Sequence, residues 1–129
     1  MDLENPHTIH FVDLETTHLD PTQGEIIEIC ILTSHDWGKT IDDIYCTKIK
    51  PVQIETADPV ALTVNGYNES DWVDAPVWSD ISDHVSALLS DGIIWSAENA
   101  HTAAADAYDC YRLFVICMSR LDSIKESKL

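Results

Sequence analysis

The chain has 129 residues, and its seven lysines and arginines face 23 aspartates and glutamates, for a formal charge of −16. That length supports one hydrophobic core, so residues 1–129 read as a single domain, and the charge excludes a protein that grips long duplex through basic side chains. No window approaches the roughly 18 apolar residues of a membrane span, and Met1-Asp2-Leu3-Glu4 lacks the basic and apolar regions of a signal peptide, which points to a soluble, cytoplasmic protein with no membrane partner.

Three β-rich runs come first, at 9–15, 25–32 and 41–49, joined by connectors short enough for an antiparallel meander. After Pro51 the period changes. Asp58-Pro59 leads into Val60-Ala61-Leu62-Thr63-Val64, and Asn65-Gly66 stops it, the pattern of a short helix with a C-terminal cap. A second helix begins near Pro76 and carries Trp78, Ile81, Val85 and Leu88 at three- and four-residue steps until Asp91-Gly92, a stripe suited to packing on the sheet. Ile93-Ile94-Trp95-Ser96 follows as a fourth strand, reached by a helical crossover and therefore parallel to its neighbour. From 103 to about 124 the spacing of Ala107, Cys110, Tyr111, Phe114, Cys117, Met118 and Leu121 predicts a long amphipathic helix. The four cysteines, Cys30, Cys46, Cys110 and Cys117, lie in apolar segments without a Cys-x-x-Cys pair, which suits reduced core thiols.

Two clusters carry candidate chemistry. In Phe11-Val12-Asp13-Leu14-Glu15-Thr16-Thr17 the two acids sit two residues apart, so on a strand they share a face. Like charges held that close repel unless protons or cations intervene, and Mg²⁺ or Mn²⁺ suits carboxylate oxygens. A solvated edge strand with an acidic outer face fits the same spacing. The second cluster is His101 and Asp106, the histidine on a loop and the aspartate in the first helical turn, where both can face one cleft. The helix macrodipole also favours an aspartate there, and a histidine near a helix start can simply cap it.

Taken together, the first motif, then Leu19-Asp20-Pro21, then Gly24-Glu25-Ile26-Ile27-Glu28-Ile29, and finally His101 with Asp106, resemble the DEDDh family of 3′-to-5′ exonucleases. The stretch from Lys48-Ile49-Lys50-Pro51 through Ala61-Leu62-Thr63-Val64-Asn65-Gly66-Tyr67 also resembles members of that family, while His18 departs from it, standing where a glycine is usual. The resemblance implies a ribonuclease H-like α/β fold: a mixed sheet of three antiparallel strands plus a parallel one, with packed helices. It implies hydrolysis of the terminal phosphodiester of single-stranded nucleic acid, with DNA as the expected substrate, by two Mg²⁺ or Mn²⁺ ions. Asp13, Glu15 and Asp106 match the metal ligands and His101 the general base. By the same resemblance, backbone amides around Thr16 and Thr17 hold the terminal nucleotide, Leu19 wedges against its base and Asn65 lines its pocket.

One ligand of the pattern is missing. The family carries a further aspartate in an Asn-x-x-Phe-Asp motif after the fourth strand, whereas here Asn99 is followed at once by Ala100-His101-Thr102. The chain reads as internally shortened at that point. Glu98, Asp91 and Asp109 are the nearby acids that could stand in, none at the family's spacing. One metal instead of two, severe loss of activity and self-association through uncovered core are the expected consequences. The alternative reading is a catalytically inactive relative that binds a polymerase or another nucleic-acid enzyme.

Overall fold

The computed structural model describes residues 7–18 and 24–96. Four strands, β1 (Ile9–Thr16), β2 (Ile26–Ser34), β3 (Asp43–Lys48) and β4 (Ile93–Ser96), form one sheet in the order β3-β2-β1-β4. β1 pairs antiparallel with β2, β2 antiparallel with β3, and β4 lies parallel to β1, as the meander and the crossover required. Between β3 and β4 come a single 3₁₀ turn at Ile54–Thr56 and three helices: α1 (Pro59–Val64), α2 (Glu69–Trp72) and α3 (Trp78–Leu88).

Local chemistry explains the boundaries. Asp58 accepts a hydrogen bond from the Val60 amide at 2.9 Å and Pro59 takes the first helical position, so α1 starts with two of its start signals satisfied. It ends at Asn65, and Gly66, at φ +67°, supplies the left-handed residue that an L side chain would resist. The one-turn α2, invisible in the periodicity, is nucleated by Asn68, whose side chain accepts from the Asp71 amide. Gly92, at φ +78°, turns the chain from α3 into β4 where a Cβ would collide with the Thr8 carbonyl.

Alternation along β1 sends His10, Val12 and Leu14 to one face and Ile9, Phe11, Asp13 and Glu15 to the other. The first face carries a core of Val12, Ile29, Ile31 and Ile49 against Ile81 and Val85 of α3. Burying each such aliphatic side chain contributes about 1.5–3 kcal/mol, so this helix–sheet contact is a principal source of stability. Leu88 is partly buried there, but Trp78 at the head of the expected stripe stays 41% exposed and does not join this core. The second face holds a smaller cluster of Ile9, Phe11, Cys30 and Leu32, with Ile41 and Trp95 against it.

The register corrects one expectation. Cys30 and Cys46 are direct cross-strand partners with Cα atoms 4.1 Å apart, and they form a disulfide rather than two reduced thiols. Their separation of 16 residues hides this in the sequence, since only strand pairing brings them together. Cys110, Cys117 and the helix expected from 103 to about 124 lie outside the described residues, as does the point where the chain reads as shortened. Among the described residues, no helix is long and apolar enough to cross a membrane.

Candidate active site

Asp13 and Glu15 occupy the C-terminal half of β1, on the face opposite α3. Both are buried, at 6% and 5% exposure, which rules out the solvated acidic edge that the spacing also permitted. A strand rise of about 3.3 Å per residue puts their backbones about 6.6 Å apart, close enough for two carboxylates to reach one ion. Two adjacent buried acids are costly without compensation, and their hard oxygen donors suit Mg²⁺ or Mn²⁺. Among the described residues, however, no group of three or more histidines, cysteines, aspartates or glutamates is arranged to hold a metal. His101, Asp106 and Leu19 lie outside the described residues.

The segment after Glu15 is firmly tied. A bulge between Glu15 and Thr16 shifts the pairing, and the Thr17 amide donates to the Glu25 carbonyl at 2.9 Å. The Thr17 hydroxyl accepts from the Glu25 amide, and its carbonyl accepts from the Asp58 amide, both at 2.9 Å. Asn65 donates its side-chain amide to the Thr16 carbonyl at 2.8 Å, so it holds the end of β1 from the last turn of α1. The Thr17 amide is thus engaged within the turn. His18, the departure from the family pattern, needs no glycine: its φ is not positive, and its carbonyl accepts a hydrogen bond from the Thr16 hydroxyl.

Strand register adds two residues that spacing could not reveal. Glu15 stands opposite Glu28, and Glu28 opposite Lys48, so a row of two acids and a lysine crosses three strands on the acid-bearing face. Lys48 Nζ lies 3.9 Å from Glu28 Oε1 and 4.7 Å over the Trp72 ring. The signal was an acid on the second strand whose meaning depends entirely on pairing. Asp91 sits elsewhere. Its carbonyl accepts from His10 Nε2 at 2.9 Å, with Oδ1 3.5 Å from the same nitrogen, and His10 points to the α3 side of β1. It therefore does not stand in for the missing ligand, while Glu98 and Asp109 are outside the described residues.

The strand order, the mixed pairing and the crossover helix define a ribonuclease H-like fold. No protein-family model matches the chain. It is 30% identical over 116 residues to Protein NEN1 of Arabidopsis thaliana, an overlap of 88% of this chain and 23% of that protein. Its structure is similar to Escherichia coli Exonuclease I in complex with a dA16 oligonucleotide, with a TM-score of 0.63 at 16% identity over 71% of this chain and 20% of that one. It is also similar to a 3′-exonuclease that recognises the histone mRNA stem-loop, with a TM-score of 0.55 at 14% identity over 70% of this chain and 45% of that one. The chain thus spans about a quarter or less of the length of NEN1 and of Exonuclease I.

Proposed function

We propose that this chain carries the catalytic fold of a metal-dependent 3′-to-5′ exonuclease of the DEDDh type, acting on single-stranded nucleic acid. The observation behind this reading is the pair of buried acids, Asp13 and Glu15, side by side on the first strand of a ribonuclease H-like sheet. The exonucleases that share the fold point the same way. In this reading residues 1–129 form one exonuclease-like domain. Asp13, Glu15 and Asp106 hold Mg²⁺ or Mn²⁺ through their carboxylates, and His101 takes a proton from the attacking water, as its near-neutral pKa range allows. Two bound ions would supply charge stabilisation to the attacking and leaving oxygens. Thr16 and Leu19 hold the terminal nucleotide; the Thr17 amide expected to share that role instead donates to the Glu25 carbonyl, so Thr17 shapes the turn, and Asn65 serves it indirectly by fixing the Thr16 carbonyl.

DNA is the first substrate to test, because Exonuclease I is described with a deoxyadenylate strand; the histone mRNA exonuclease makes RNA the control. With the second-motif aspartate missing, a single weakly held ion and slow cleavage are expected of the chain. The competing reading, a non-catalytic partner of a polymerase, is not favoured, since it gives no reason to bury two acids next to each other. The test is calorimetric titration with Mn²⁺ alongside digestion of a 5′-labelled single strand. Mn²⁺ binding that Asp13→Asn removes supports the reading, and equal binding by both chains overturns it. Rapid digestion abolished by Asp13→Asn would show that a substitute ligand exists.

A further inference from the structure

We infer that Lys48 is a phosphate-contact residue of this site, holding the backbone of a single strand beside the acid pair; the inference rests on the nuclease reading above. The chain's charge of −16 leaves few cations to meet a polyanion, and those between residues 24 and 96 are Lys39, Lys48 and Lys50. Lys39 lies in the loop between β2 and β3, at the end of the sheet away from Glu15. Lys48 is different. It shares the row of Glu15 and Glu28, two strands away from Glu15, which at about 4.8 Å per strand puts the two backbones about 9.6 Å apart.

The geometry around its ammonium suits a binding role better than an idle surface charge. The Glu28 contact, at 3.9 Å, is well beyond the roughly 2.7–2.9 Å of a charge-assisted hydrogen bond, so it does not consume the three donors of the group. The Trp72 ring lies beneath the ammonium at 4.7 Å, and Trp72 is itself buried and fixed by its indole nitrogen donating to the Ile27 carbonyl at 2.8 Å. A lysine seated on a rigid aromatic platform loses less conformational freedom on binding than one waving in solvent. Its side chain is 39% exposed, and so it can reach a ligand. Glu28 then orients the ammonium in the free protein and yields it to a phosphate oxygen.

A purely structural role, in which Lys48 only neutralises Glu28, makes a different prediction. The discriminating measurement is the salt dependence of binding. A short fluorescent single strand is titrated with the unaltered chain, Lys48→Gln, Lys48→Arg and Glu28→Gln in Mn²⁺ over a range of KCl, with thermal unfolding and Mn²⁺ affinity measured on each. Each phosphate contact to a single strand contributes a slope of about −0.7 in log K against log salt. Lys48→Gln should weaken binding at low salt and make the slope shallower by about 0.7, while leaving Mn²⁺ affinity unchanged. Lys48→Arg should keep the slope, and Glu28→Gln should keep or steepen it. A Lys48→Gln slope equal to that of the unaltered chain overturns the inference, even if affinity falls. If Mn²⁺-dependent binding abolished by Asp13→Asn persists in that case, the nuclease reading stands and only the role of Lys48 is lost. Failure of the unaltered chain to bind the strand overturns both.

Discussion

The two faces of the sheet use the same strand in opposite ways. On the α3 side, Val12 joins Ile29, Ile31, Ile49, Ile81 and Val85 in a continuous apolar core, and removing water is the whole of its chemistry. On the other side the apolar cluster of Ile9, Phe11, Cys30 and Leu32 gives way to Asp13, Glu15, Glu28 and Lys48, one register step further along. Burial on the first face stabilises the fold. Burial on the second acts against it, because a carboxylate removed from water must be compensated by something. The contrast separates the face that supports the fold from the face on which the proposed site lies.

Substitutions on the two faces should therefore differ in kind as well as in size. The largest effect is expected from Ile31→Ala on the α3 side, where loss of a buried aliphatic side chain costs about 2–5 kcal/mol of unfolding free energy, readable in a urea titration. Metal-dependent stability should be untouched. Asp13→Asn inverts that pattern: Mn²⁺ at about a hundredfold excess over its dissociation constant should stabilise the unaltered chain by about 2.7 kcal/mol, and the variant should gain nothing. If Mn²⁺ raises the thermal midpoints of both chains equally, the acid face is not a metal site. Smaller again is Asn65→Ala, which removes the hydrogen bond to the Thr16 carbonyl at an expected cost of about 0.5–1.5 kcal/mol. Hydrogen exchange of the Thr17 amide should accelerate in that variant, and unchanged exchange would separate Asn65 from the site.

The smallest effect lies in the loop between β2 and β3, remote from both faces. The Asp36 carboxyl is lowered from 3.8 to about 2, first by the Thr40 backbone amide, then by the Thr40 and Ser34 hydroxyls. A carboxyl depressed by folding contributes order above its unfolded pKa and loses it as pH falls through the folded one, so the loop should loosen between about pH 4 and 2. Amide exchange at Thr40 followed by NMR across that window should show the change, and Asp36→Ala should show the loosened loop at neutral pH.

Much of this architecture was legible because it is local. The β-branched runs, the Asp58-Pro59 start and Asn65-Gly66 stop of α1, and the stripe of Ile81 and Val85 each follow from propensity, capping or periodicity within a dozen residues. Three features were not legible, for a common reason. The disulfide between Cys30 and Cys46, the opposition of Glu15 to Glu28 and the seating of Lys48 on Trp72 are all contacts between segments far apart in the chain. Spacing within one strand says which residues share a face. It says nothing about what the next strand places beside them.

The sequence by itself determined that Asp13 and Glu15 share one face of a strand, because side-chain alternation is a local property of extended backbone. It also pointed to a fourth strand parallel to its neighbour, because an intervening helix carries the chain back across the sheet; that the neighbour is β1 came from the structure. Only the tertiary structure decided that the acids are buried rather than solvated, that Asp91 belongs to the opposite face with His10, and that Lys48 stands in line with Glu15. Those outcomes depend on register and on which face α3 covers, quantities fixed by packing across the whole domain rather than by any short stretch of residues.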